Sequence, residues 1–208
     1  MVIIVTLVML SFFIWIQTGK RKANRKVMDE RNKFWEKERQ ANATRKTDIS
    51  ELNYITIPLD RLPFTETEEE ELLSVQNSVK ALSKEHILNL TGISNTDLKL
   101  KYGTANINFL SECDSNYTLL VQDIYKWGEY LYNRKQFRDA AGVLEFGVEC
   151  KTDISKNYIL LARIYKETDA NAAQKIDALI QTAESLSTLM KDSIINSLKE
   201  IKLSTYLT

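Results

Sequence analysis

This chain is short of helix breakers, of metal ligands and of catalytic punctuation. Its 208 residues include six glycines and two prolines, and that scarcity argues for a helical protein. The two cysteines, Cys113 and Cys150, are far apart and belong to no CxxC or Cys/His spacing, so zinc is not indicated. The single histidine, His86, stands between Glu85 and Ile87, and no neighbouring residues complete a nucleophilic triad. No phosphate loop, nucleophile elbow or metal-binding helix motif is written anywhere. Glu66, Glu68, Glu69, Glu70 and Glu71 lack calcium-loop spacing, and they suit the N-terminus of a helix and a solvated face. The expectation is therefore no catalytic residues, no metal, no cofactor and no enzyme.

The net charge is zero, with 28 basic and 28 acidic residues, but the zero conceals an asymmetry. Residues 20–46 hold eleven Lys and Arg against four Asp and Glu, which leaves them at +7 and the remainder at −7. A nucleic-acid role needs basic residues on the folded domain, and that part is acidic, so nucleic acid is excluded as a partner.

What the chain does have is an uncharged apolar run over residues 2–16, followed at once by Lys20, Arg21, Lys22, Arg25 and Lys26. This pattern predicts a transmembrane helix over 1–18. No basic residue precedes the run and it ends in Phe-Phe-Ile-Trp-Ile, which is unlike a cleaved signal. The basic cluster reads as a membrane-surface group that holds the C-terminal part in the cytoplasm. The expected location is the cell membrane, single-pass, with the membrane itself as a partner.

Residues 19–46 read as a basic helical stalk, with a weak apolar stripe at Val27, Phe34 and Trp35. Residues 47–64 read as an extended connector punctuated by Pro58 and Pro63, its Tyr54, Ile55, Ile57, Leu59, Leu62 and Phe64 laid on a helical surface. A helical domain follows over 65–208. Thr65 to Glu68 form a capping-box pattern before a helix whose face carries Leu72, Val75, Val79 and Leu82. Short helices are expected around 84–90, from Asn95 or Thr96 to near Gly103, and at 105–113. Longer ones are expected at 116–133, 136–149, 155–168, 170–187 and 190–203.

One segment carries a repeat. Ile124-x2-Trp127-Gly128-x2-Leu131, then Phe137-x2-Ala140-x3-Leu144-x2-Gly147, resembles the tetratricopeptide repeat, with a second, looser copy from Tyr158 through Ala183 and a capping helix behind it, over 117–203 in all. Gly128, Ala140 and Gly147 are small positions that let paired helices approach. Leu131 stands where the family usually has an aromatic residue and Thr152 where it usually has proline. The segments Asn89-Leu-Thr-Gly92 and Asn95-Thr-Asp-Leu98, with the connector, also resemble membrane-anchored proteins of Gram-positive bacteria that carry no assigned activity. The fold class expected is all-α: a transmembrane helix and stalk, then a tetratricopeptide-like array of antiparallel helical hairpins.

The resemblance implies a concave face built from the first helix of each repeat. Gln122, Tyr125, Glu129 and Tyr132 occupy those positions in the clear repeat, and Lys156, Ile159 and Arg163 in the next. The implied function is a membrane-tethered scaffold or adaptor that binds a protein partner there. The alternative is an enzyme with a non-standard site in the helical domain.

Overall fold

The computed structural model describes residues 2–206. Met1, at the head of the expected span 1–18, and residues 207–208, at the end of the expected 65–208 domain, lie outside the described residues. Those described form helices and connecting segments, with no strand. The helices are α1 (Val2–Ala43), α2 (Glu70–Leu82), α3 (Asn95–Tyr102), α4 (Ile107–Asn133), α5 (Phe137–Glu149), α6 (Ser155–Thr168), α7 (Ala172–Glu184) and α8 (Lys191–Thr205), with one 3-10 turn over Thr104–Asn106. The chain divides into two compact units, Met1–Asp48 with Ser94–Ile107, and Ile49–Ile93 with Asn108–Thr208.

Among the described residues no helix is long and apolar enough to cross a membrane. The expected transmembrane helix 1–18 is corrected accordingly, together with the single-pass cell-membrane location and the membrane as a partner. The physical reason lies in the length of the apolar run. Its fifteen residues, 2–16, rise about 22 Å as a helix against a hydrocarbon core of about 30 Å. The same helix then continues without interruption through the charged residues that begin at Lys20.

In the first unit, α3 and the 3-10 turn fasten the last turns of α1. Ala41 is fully buried there, as are Leu98 and Tyr102 nearly so. Lys37 pairs with Asp97 at 2.6 Å, and Glu38 accepts from Lys99 Nζ at 3.2 Å and from the Thr96 hydroxyl. Ser94 caps α3 by accepting from the Asp97 amide. Asn106, buried, donates to the carbonyls of Thr47 at 2.8 Å and Tyr102 at 2.7 Å. Gly103 has φ +84°, and a Cβ there would lie 2.3 Å from the Arg45 carbonyl oxygen. Only glycine allows that crossing.

In the second unit, apolar side chains from α2 and α4 to α8 make one core, joined by Ile57 and Leu62 of the 47–64 segment. Phe64 packs on Trp127 with ring centroids 4.8 Å apart. Close approaches are made at two glycines. A Cβ on Gly128 would sit 2.5 Å from Leu144 Cδ2, and one on Gly147 would meet Asn157 Oδ1 at 2.7 Å and Ile124 Cγ2 at 3.1 Å. Helix α4 therefore meets α5, and α5 meets α6, at small residues.

Several local expectations differ from the structure. Residues 105–113 and 116–133 are expected as two helices, yet α4 runs unbroken from Ile107 to Asn133, with the Ser115 hydroxyl donating to the Ser111 carbonyl and Asn116 to the His86 carbonyl. The short helix expected around 84–90 does not form: residues 86–90 have no regular secondary structure, with the Ile55 amide donating to the Ile87 carbonyl and the Leu88 amide to the Cys113 carbonyl. The Thr65 capping box does not form. Thr65 is engaged by Gln76 instead, and α2 begins at Glu70.

Candidate protein-binding face

Two helices set the candidate face. Along α4, Gln122, Tyr125, Glu129 and Tyr132 recur at three and four residues, so they share one side. Along α6, Lys156, Ile159 and Arg163 do the same. The opposite sides carry the core: Ile124, Trp127 and Leu131 are buried on α4, and Tyr158, Leu161 and Ala162 on α6. Burial of those stripes turns the candidate residues outward.

The structure brings four of the seven into one group. The Tyr125 hydroxyl donates to Glu129 one turn along. The Tyr132 hydroxyl crosses from α4 to α6 and donates to Glu167 at 3.2 Å. Arg163 is exposed, and its charge acts on both tyrosyl hydroxyls. Burial of the ring, with the Glu129 carboxylate beside it, pushes the Tyr125 hydroxyl up to about 12. Tyr132 moves the same way, from burial and then from Glu167. Both phenols stay neutral donors through the physiological range. Gln122 and Lys156 are exposed and Ile159 is half-buried, on the same helix sides but outside the hydrogen-bonded group.

Two members were not singled out from sequence. Glu167 lies four residues after Arg163 on the same side of α6, and that spacing was the available signal. Phe137, a position of the repeat pattern on α5, is half-buried and holds its ring 5.4 Å from that of Tyr132. The result is a pair of half-buried phenols, each tied to a carboxylate, with a guanidinium near both. Such a group offers hydrogen-bonding and aromatic surface.

His86 is exposed and edge-on to Tyr54 at 5.1 Å and Phe109 at 5.3 Å. Glu69 accepts from Tyr130 and Arg134, while Glu66, Glu68, Glu70 and Glu71 are exposed. Cys113 and Cys150 are free and buried, and burial first, then the nearby Glu149, raises the Cys150 thiol to about 12. A thiol held there stays protonated and unreactive at neutral pH. Among the described residues no group of three His, Cys, Asp or Glu gathers to hold a metal ion. The basic residues Lys20, Arg21, Lys22, Arg25 and Lys26 are exposed along α1.

Comparison with family models, with curated proteins and with solved structures found no match to this chain.

Proposed function

We propose that the helical part of this protein is a scaffold or adaptor that binds a protein partner through the outward sides of α4 and α6, in the manner of a tetratricopeptide repeat. The observation that carries this reading is the group Tyr125, Glu129, Tyr132, Arg163 and Glu167. Its two tyrosines are held in place before any partner arrives. Tyr and Arg contribute most where they bury area and keep a polar end satisfied. A preset ring loses less conformational entropy on binding than a free one.

The test is a triple substitution, Tyr125→Ala, Tyr132→Ala and Arg163→Ala, made in the full chain. Each truncation is expected to weaken binding by about 1–2 kcal/mol. The variant must keep the parent's helicity and melting. The measurement is the amount of each partner that co-purifies with parent and variant. Loss of a partner from the variant alone supports the face, and equal recovery of every partner overturns it.

A further inference from the structure

We propose a second, separate binding site: the cleft between the 60–63 segment, α5 and the start of α7 takes an extended peptide that carries both acidic and basic residues. The proposal does not rest on the α4–α6 face, with which the cleft shares only Phe137. The cleft is open to solvent on one side and offers about 920 Å³, at the upper end of the roughly 300–1,000 Å³ found for ligand sites.

Its walls are fixed by contacts already made. Lys175 pairs with Asp169 at 2.5 Å and lies 4.7 Å above the Tyr165 ring. The Tyr165 hydroxyl donates to Glu145 at 2.7 Å, and Arg61 pairs with Glu149. Four of the charged lining residues, Arg61, Glu145, Asp169 and Lys175, are thereby engaged. Three others, Asp60, Arg138 and Asp139, are exposed and make no direct ion pair among the described residues.

These three decide the ligand class. Half of the fourteen lining residues are charged, so an apolar small molecule would strip water from them without giving a partner in return. A polyanion would meet Asp60 and Asp139, and a purely basic ligand would leave Arg138 unanswered. A chain with charges of both signs answers all three. The floor suits a peptide backbone, because α5 presents Ala141 and Gly142 there. A Cβ on Gly142 would meet nothing within 4 Å, so the main chain of a ligand can come close without displacing a side chain.

That open space also supplies the test. Gly142→Trp places a large side chain in the cleft from a position whose Cβ meets nothing within 4 Å, and it replaces the weaker helix former. Random peptides displayed on phage are selected on the immobilised full chain, and their affinities are then measured on parent and variants. The expected result is enrichment of peptides with both charge signs, and an affinity loss of about ten-fold or more with Gly142→Trp, as for an obstructed central contact. Should Gly142→Trp melt below the parent, the exposed double reversal Arg138→Glu with Asp139→Lys takes its place, with the same loss expected. Affinities unchanged in either well-folded variant overturn the proposal. So do selected peptides of a single charge sign, or none selected. Peptides that lose binding only with the Tyr125, Tyr132 and Arg163 alanine variant also overturn the cleft, while leaving the α4–α6 face standing.

Discussion

The two units of this chain are held together by different forces. In the unit built on α1, the described contacts are chiefly polar: Lys37 to Asp97, Glu38 to Thr96 and Lys99, and Asn106 to two carbonyls. Most of that 42-residue helix is exposed, including Val27, Met28, Phe34 and Trp35. In the other unit, Trp127, Tyr158, Leu144, Ile176 and Leu198 are fully enclosed, and glycines mark where helices touch. The charges divide in the same way. The α1 unit has thirteen basic and six acidic residues, +7, against fifteen and twenty-two, −7, in the other. Directional polar contacts fix a position with little net energy, whereas close-packed apolar surface supplies the stability. The α1 unit should therefore open first and locally, and the second unit should melt as a whole.

The strongest way to break this contrast is Gly128→Leu. Its Cβ alone would overlap Leu144, which is fully buried, so that side chain must shift within the packed core. Overpacking at the upper end, about 3 kcal/mol, is offset by about 1 kcal/mol from leucine's better helix propensity. The melting temperature should fall by roughly 4–8 °C for a chain of this size. Thermal unfolding followed by circular dichroism measures it, and a melting temperature equal to the parent's would mean that α4 and α5 do not meet at Gly128.

The counterpart in the α1 unit is Gly103→Ala. It is strained twice, by φ +84° and by the Arg45 carbonyl 2.3 Å from the new Cβ. Backbone cannot rotate aside as a side chain can, so the 94–107 segment should lift from the end of α1. Amide exchange in residues 37–47 should accelerate, while the core amides of α4 to α6 keep their protection. Equal acceleration in both units would show that the two are one cooperative body.

These positions also show what could be read from residues alone. The observed α5 and α6, Phe137–Glu149 and Ser155–Thr168, fall where periodicity puts helices, because long amphipathic stripes leave one solution. The attachment of Ser94–Ile107 to α1 was not legible. It depends on Thr96, Asp97, Lys99 and Asn106 meeting residues some sixty positions away, and ordinary polar residues carry no pattern that names a distant partner. The candidate face was readable as two helix sides, because exposure follows from the buried stripe. The hydrogen bond from Tyr132 to Glu167 was not, since it joins different helices. The apolar run 2–16 was read by composition, and its length against the bilayer was the deciding quantity.

The pH response should separate the units more gently. Hydrogen bonds from Thr96 and Lys99 hold Glu38 below the ordinary carboxylate range, and those from Lys37 and Ser94 do the same for Asp97. A depressed carboxyl contributes stability above its unfolded pKa, near 4, and loses it as pH falls through the folded value. Burial raises Tyr117, Tyr158 and Tyr165 in the second unit. A raised hydroxyl contributes stability that is complete below its unfolded pKa, near 10, and is lost as pH climbs toward the folded value. Acid should thus release the end of α1 first, and alkali should loosen the helical core first. The second unit has its own acid-sensitive carboxyl, Asp169 beside Lys175, so the acid contrast is one of order rather than of kind. Protection factors measured across the pH range, corrected for intrinsic exchange, check both limbs. Release of both units at the same acid pH would remove the distinction.

The smallest expected effect is the most specific test of the comparison. Arg134 in the second unit pairs with Glu69 and stacks 4.7 Å over the Tyr130 ring, a surface contact of the same kind as Lys37 with Asp97 in the first. Both ion pairs are about half exposed. If polar contacts position and apolar packing stabilises, the two should respond differently to equivalent changes. Arg134→Ala should lower stability by less than about 1 kcal/mol, because an exposed pair gains little over water. It should leave local exchange almost unchanged, since Phe64 and Trp127 hold that region without it. Lys37→Ala should leave the melting temperature within error, yet speed exchange in the last turn of α1, where little buried apolar surface stands behind the pair. An Arg134→Ala loss as large as that of Gly128→Leu would mean that the second unit also depends on its polar surface contacts, and the division drawn between the units would not hold.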